Sequence, residues 1–170
     1  MRIGNAFDLH PLVVGRALIL GGISIPFELG LEGHSDGDAL THAIIDSLLG
    51  AAGLGDIGVW FPPTDSRWKG ANSIEMLRAI VEQLKERNWK VGNVDSVIIC
   101  ERPKLSPYFA QMRQNLAKVL EVTEAQVSVK ATTSEGLGII GREEAIAVHA
   151  VALIEKARPL NIIDEITALT

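Results

Sequence analysis

Hydrophobic and polar residues alternate from the second position onward. Ile3, Phe7 and Leu9 share one parity, while Arg2, Gly4, Ala6, Asp8 and His10 share the other, the period-two pattern of a β-strand. Apolar runs at 17–20 and 23–25 then flank Gly21-Gly22, a β-hairpin signal. Residues 26–33 read as a connector. Ser35, with Asp38 three positions later, has the form of a helix cap and predicts a helix to about Ala52, ahead of Gly53 and Gly55. That helix would bury Leu40, Ala43, Ile44, Leu48 and Ala51, and would set Asp38, His42 and Asp46 in a polar row.

Residues 54–70 are rich in Gly and Pro and read as a long irregular loop, a kind of segment that is usually functional in compact domains. Asn72 and Glu75 then cap a second helix carrying Ile74, Leu77, Ile80, Val81 and Leu84. Residues 94–100 read as a buried strand and 101–105 as a turn. Ser106-Pro107 opens a third helix with Phe109, Met112, Leu116, Val119 and Leu120 inward. Val127 and Val129 mark another strand, with Ser128, Lys130 and Thr132 on its other face. A polar, glycine-rich loop follows at 132–141, and 144–154 reads as a last strand, apolar on both faces and therefore buried. Strands alternating with helices predict an α/β (α+β) fold. It would be a mixed β-sheet with helices packed mainly on one face, plus a small N-terminal hairpin. The expected organisation is one domain over 1–157 and a weakly helical C-terminal tail over 158–170.

Charge narrows the partners. A chain of 170 residues with a net charge of −5 and a pI near 5.4 lacks the broad basic face that nucleic acid needs. Any phosphate site must therefore be built locally, from metal, helix N-termini and a few cations. The single cysteine, Cys100, has no internal disulfide partner and suits a reducing compartment. A strand pattern beginning at Ile3 leaves no room for a signal peptide, so a cytoplasmic location is expected, or the plastid stroma after loss of a transit peptide. The longest apolar run, 145–154, contains His149 and is too short to cross a membrane.

Three of the four histidines lie near carboxylates at the start of the chain. Asp8 and His10, two apart on a strand, point to the same side. With His42 from the helix they would give three ligands and an open fourth position, the pattern of catalytic rather than structural zinc. The alternatives are a hydrogen-bonded Asp-His pair at a strand end and a helix histidine satisfied by its neighbours. Asp38 is expected to serve the helix N-terminus. Asp46 could support His42, be solvated, or bond a nearby backbone group. His34-Ser35 at a helix start is favourable for an anion, although a simple cap explains Ser35. The run from Lys130 to Gly138 is dense in hydroxyls and could cradle a phosphate, with Glu135 free for a hard cation; a solvated turn fits its composition equally. Cys100 reads as a buried apolar residue, not a nucleophile.

Taken in order, these stretches resemble a known family. Residues 3–10 (IGNAFDLH), 34–38 (HSDGD), 55–58 (GDIG), Phe61-Pro62, Thr64-Asp65, 103–105 (PKL), 130–133 (KATT) and Gly141-Arg142 are similar to the 2-C-methyl-D-erythritol 2,4-cyclodiphosphate synthases of the non-mevalonate isoprenoid pathway. The resemblance spans about residues 1–157. The chain departs from the family pattern at Asn5, often His; Ala6, often Gly; Pro63, usually Asp; and Ile139, commonly Phe.

The resemblance implies a homotrimer with active sites between neighbours, and a lyase that cyclises 4-diphosphocytidyl-2-C-methyl-D-erythritol 2-phosphate with release of CMP. It implies Zn2+ on Asp8, His10 and His42, and a second ion, Mg2+ or Mn2+, on Glu135. His34 and Thr133 would stabilise the transition state. Ser35, Asp56, Ile57, Gly58, Phe61, Pro62, Pro63, Thr64 and Asp65 would contact substrate. Cys100, Lys104, Leu105, Ala131, Thr132 and Ser134 would frame the nucleotide and its phosphates. Ile139 and Arg142 would line a cavity on the trimer axis able to hold an isoprenoid diphosphate. Two rivals share parts of this reading: a zinc phosphohydrolase, which would use the same ligands with water as nucleophile, and a non-catalytic metal-stabilised oligomer, which would need a fourth ligand.

Overall fold

Alternation carries the first strand past Pro11. In the computed structural model, which describes residues 1–157, β1 runs from Arg2 to Val14. The tail expected at 158–170 lies outside the described residues. β2 (Leu18–Leu20) and β3 (Ile23–Ile25) form a two-stranded antiparallel ladder. Gly21 and Gly22 both have positive φ, 60° and 73°, as a tight hairpin turn demands. The segment read as a connector holds a further short strand, β4 (Leu29–Leu31), which pairs with Leu12, Val13 and Val14 at the end of β1.

Helix α1 (Ala39–Ala52) starts later than the Ser35 cap predicts. Asp38 is its N-cap, accepting the Thr41 backbone N–H at 2.9 Å and the Thr41 hydroxyl at 2.7 Å. The same buried carboxylate accepts the N–H groups of Gly21 and Gly22. Asp38 thus ties the hairpin to the helix, and its four donors offset the burial that raises its pKa. α1 is buried almost all round, Thr41, Ile45, Ser47 and Leu49 included, because the sheet covers one side and other elements cover the rest. The loop at 54–70 contains a short helix, α2 (Ile57–Trp60), and a 3-10 turn at Ser66–Trp68.

α3 (Ser73–Glu86) keeps its Asn72 cap and its inward row. β5 (Trp89–Ile99) begins earlier than expected, because an irregularity between Val91 and Asn93 breaks the alternation there. α4 (Phe109–Leu120) leads to β6 (Val127–Thr132), a short α5 (Gly138–Gly141) and β7 (Ala145–Lys156). The main sheet has the order β4-β1-β7-β5-β6, parallel only between β5 and β6.

α1 crosses β1, β7 and β5, and α3 packs on α1 and β5. Gly4 makes the first of these contacts possible. A Cβ there would lie 1.9 Å from the Ser47 carbonyl oxygen and 2.5 Å from the Ala51 nitrogen, so β1 and α1 approach backbone to backbone. The small and polar parity of β1 therefore faces the helix. The apolar parity is left uncovered in the single chain, with Ile3 71% and Phe7 60% exposed, and Val151 of β7 is also exposed. The expectation that β7 is buried on both faces holds only for its first third, Ala145–Val148. Among the described residues, no helix is long and apolar enough to cross a membrane.

Candidate active site

Asp8 and His10 project from β1 toward α1, where His42 sits one turn inside the helix. His10 Nε2 lies 2.9 Å from Asp8 Oδ2; His42 Nδ1 lies 3.4 Å from that oxygen and 3.2 Å from His10 Nε2. One donor atom from each residue thus falls within 4.8 Å of the other two. Proton bookkeeping shows what these atoms offer. His10 Nδ1 contacts the Glu32 carbonyl oxygen, which can only accept, so Nδ1 carries the hydrogen and Nε2 presents its lone pair to Asp8 and His42. Asp8 Oδ2 is buried and has no well-directed donor. A lone pair and an unpartnered carboxylate oxygen beside a second imidazole suit a divalent cation. Burial opposes ionisation of Asp8, but the bonds and positive charge that His10 and His42 offer when their rings are protonated outweigh it and hold the carboxyl well below the usual range. Burial also works against a charged His10, yet Asp8 wins and raises its pKa.

These residues line a cavity of about 220 Å³ with His34, Ser35, Ile57, Gly58, Phe61 and Pro63, residues the sequence singles out; Trp68 and Met76 complete it. Phe61 and Trp68 meet edge to face at 4.8 Å between centroids. His34 is held over the cavity by its neighbours: Arg16 donates to the carbonyl oxygens of Gly33 at 3.1 Å and Ser35 at 2.7 Å, on either side of it. Asp56 caps α2 by accepting the Val59 N–H at 3.0 Å. Pro62 and Thr64 continue the loop, and Asp65 caps the 3-10 turn and pairs with Arg67.

A second cavity, about 400 Å³, is lined by Cys100, Lys104, Leu105, Ala131, Thr132 and Thr133, with Glu101, Arg102, Pro103, Ser106 and Phe109. Burial pushes the Cys100 thiol up to about 11, so it is a poor nucleophile. Ser134 and Glu135 lie on the adjoining loop, where Thr133 Oγ1 donates to Glu135 Oε1 at 2.9 Å. Glu101 organises this loop, accepting from Ser134 N–H and hydroxyl, both at 2.8 Å, and from Gly136 N–H at 3.2 Å. Ile139 is exposed on α5, and Arg142 just beyond it forms a two-point ion pair with Glu144.

The structure does not bring the two groups together within one chain. Register places His10 level with Ile146, Ala147 with Ile99, and Ile99 with Thr132, so both cavities open at the same end of the sheet. β1 and β6 are nevertheless three strand spacings apart, about 14 Å.

Sequence reasoning misses Arg16 and Trp68, and gives Glu101 no contact of its own. Their roles arise from tertiary neighbours and leave no local spacing to read.

Mixed-sheet architecture with helices on one face, and a His-His-Asp donor set at the end of the sheet, define an α+β protein with a triad of side chains that could hold a divalent metal. The sequence profile of the YgbB family matches residues 1–155, and the chain belongs to that family. It is 58% identical over 153 residues to the 2-C-methyl-D-erythritol 2,4-cyclodiphosphate synthase of Synechococcus elongatus, covering 90% of this chain and 96% of that protein. The synthase of Nostoc punctiforme is 55% identical over 156 residues, covering 92% and 98%. The solved Plasmodium falciparum IspF CDP complex superposes with a TM-score of 0.82 at 38% identity, covering 92% of this chain and 97% of that one.

Proposed function

We propose that the chain converts 4-diphosphocytidyl-2-C-methyl-D-erythritol 2-phosphate to 2-C-methyl-D-erythritol 2,4-cyclodiphosphate and CMP, as a cytoplasmic lyase of the non-mevalonate pathway. Family membership at 58% identity with a cyclodiphosphate synthase supports this activity class. The observation that carries it to the residues is the convergence of Asp8, His10 and His42 on one point in a cavity bounded by Ile57, Gly58 and Phe61. An oxygen of the 2-phosphate attacks the β-phosphorus; the bond from that phosphorus to the oxygen bridging to the α-phosphorus breaks, and CMP leaves.

Asp8, His10 and His42 would hold Zn2+, and Glu135 would hold Mg2+ or Mn2+. When bound, these ions supply Lewis acidity and neutralise phosphate charge. The chain's own contribution is placement. His34, fixed through the Arg16 contacts on its flanking carbonyls, would donate to phosphate oxygen on one side. The Thr133 hydroxyl, turned from Glu135, would donate on the other, while Ser35 and the N–H groups of Asp56 and Gly58 hold the remaining oxygens and Ser134, tied to Glu101, shapes the loop beside them. Phe61, with Pro62, Pro63, Thr64 and Asp65, would close over the erythritol carbons and exclude water. The cavity from Cys100 to Leu105, with Ala131 and Thr132, would take the cytidine, and Lys104 its phosphate charge. Holding the attacking oxygen in line replaces covalent catalysis.

The separation of the two cavities supports a site shared between subunits of a homotrimer, and so does the uncovered apolar face around Ile3, Phe7 and Val151. Ile139 and Arg142 would then line the trimer axis, where an isoprenoid diphosphate could displace Glu144 from Arg142. Incubating the metal-loaded protein with the cytidine diphosphate substrate tests the activity. Stoichiometric CMP and cyclic diphosphate are expected. Inorganic phosphate in their place would identify a hydrolase, and no turnover would overturn the reading.

A further inference from the structure

His42 is oriented from behind by groups that the donor set does not include. Its Nε2 lies 2.9 Å from Ser73 Oγ and 3.0 Å from Ser35 Oγ, both buried. Ser73 has a single hydroxyl proton, and its oxygen contacts Asp36 Oδ1, a carboxylate that accepts only. The same Asp36 carboxylate takes the Ser73 backbone N–H at 3.0 Å and the Asp38 N–H at 3.3 Å, which fixes its direction. The hydroxyl proton is therefore committed to Asp36. Only lone pairs of Ser73 remain for His42, so the hydrogen between them belongs to Nε2. An imidazole protonated at Nε2 offers its Nδ1 lone pair, the atom that faces Asp8 and His10.

We propose that Asp36 and Ser73 are positioning residues that lock His42 in its Nε2–H tautomer and so reserve Nδ1 for the metal. The imidazole Nε2–H donates to the Ser73 oxygen and the Ser73 hydroxyl donates to Asp36, which leaves the Nδ1 lone pair on the side of Asp8 and His10. Outer contacts of this kind set ligand orientation and basicity, and their loss lowers metal affinity by about 10- to 100-fold. Ser35 cannot replace the lock. Its hydroxyl is not committed to a carboxylate, and it can donate to His42 as readily as accept. The inference rests on the metal reading above.

The full-length protein, labelled with 15N at histidine, gives the tautomer directly from long-range 1H–15N correlations. Metal-free wild type should show His42 protonated at Nε2; protonation at Nδ1 overturns the proposal without any variant. Asp36→Asn is nearly isosteric but can donate its amide to Ser73, freeing the hydroxyl to donate to His42 and pushing the proton to Nδ1. Ser73→Ala removes the link and leaves the Ser73 backbone N–H on Asp36. Zinc affinity, measured by chelator competition, should fall at least tenfold in each, and the double variant should be no worse than the weaker single. Affinities within twofold of wild type in folded single variants, or additive losses in the double, overturn it. Wild type that takes up no zinc defeats the metal reading instead, and the metal-free tautomer still decides the lock.

Discussion

Asp46 accepts the backbone N–H of Ile57 at 2.6 Å. The helix that carries His42 therefore also holds, one turn later, the start of the loop that closes the same cavity. Burial raises the Asp46 pKa and the Ile57 bond lowers it, with burial dominant. This bond links the Asp8-His10-His42 cluster and the 57–60 segment through one rigid element, and it chooses among the three roles open to Asp46 in the sequence.

Asp46→Ala should loosen the loop without touching the metal. Losing the bond costs about 1 to 2 kcal/mol locally. Amide exchange at 57–60 should accelerate and KM should rise roughly tenfold, while zinc content stays at the wild-type value. A variant with unchanged KM and unchanged exchange would show that Asp46 does not hold the loop.

Gly4→Ala tests the backbone approach of β1 to α1. The added methyl would meet Ser47 and Ala51 backbone atoms, which cannot rotate away. Forced separation of strand and helix should cost about 2 to 3 kcal/mol and lower the melting temperature by roughly 5 to 10 °C. Asp8 and His42 sit on the separated elements, so zinc affinity should fall as well. A melting temperature within about 2 °C of the parent would contradict the packing.

Glu101 makes the Ser134–Gly136 loop sensitive to acid. Donation from the Ser134 hydroxyl, then from the Ser134 and Gly136 N–H groups, lowers its pKa from 4.5. A depressed carboxyl stabilises the fold above its unfolded value and loses that contribution as pH falls through the folded one. Protection of the Ser134 and Gly136 amides, corrected for intrinsic exchange, should be constant above 4.5 and fall below it. Glu101→Gln should flatten that profile. Equal profiles in the two proteins would remove Glu101 from this role.

What the sequence disclosed divides along the range of the interactions. Asp8 and His10 are two residues apart on one strand, and period two puts them side by side wherever the strand goes. The helix around His42 and the Asn72 cap are equally local. Period alone did not say which parity of β1 is covered. That depends on Gly4 admitting α1, so the apolar parity faces away from the helix. Ser35 fits a cap by pattern, but Asp38 takes the Thr41 N–H and Ser35 turns to His42 instead. β4 is three residues long with a central glycine, and only its pairing with β1 makes it a strand. Ser73 lies 31 positions from His42, and no spacing rule joins them.

The separation of the cavities leads to a complementation experiment. If the zinc donors come from one subunit and Thr132 to Glu135 from its neighbour, then His42→Ala and Glu135→Ala damage different halves of each site. Each protein alone should be inactive. After unfolding and refolding together in equal amounts, random mixing makes roughly three quarters of trimers mixed. Every mixed cyclic trimer contains one junction where the Glu135→Ala subunit supplies intact zinc donors and the His42→Ala subunit supplies an intact Glu135. About one site in four should regain activity. A site contained within one chain would regain none, since every chain carries a lesion. Native mass spectrometry establishes that mixed trimers have formed. Their presence without recovered turnover would defeat the shared site; a protein that stays monomeric would defeat the trimer itself.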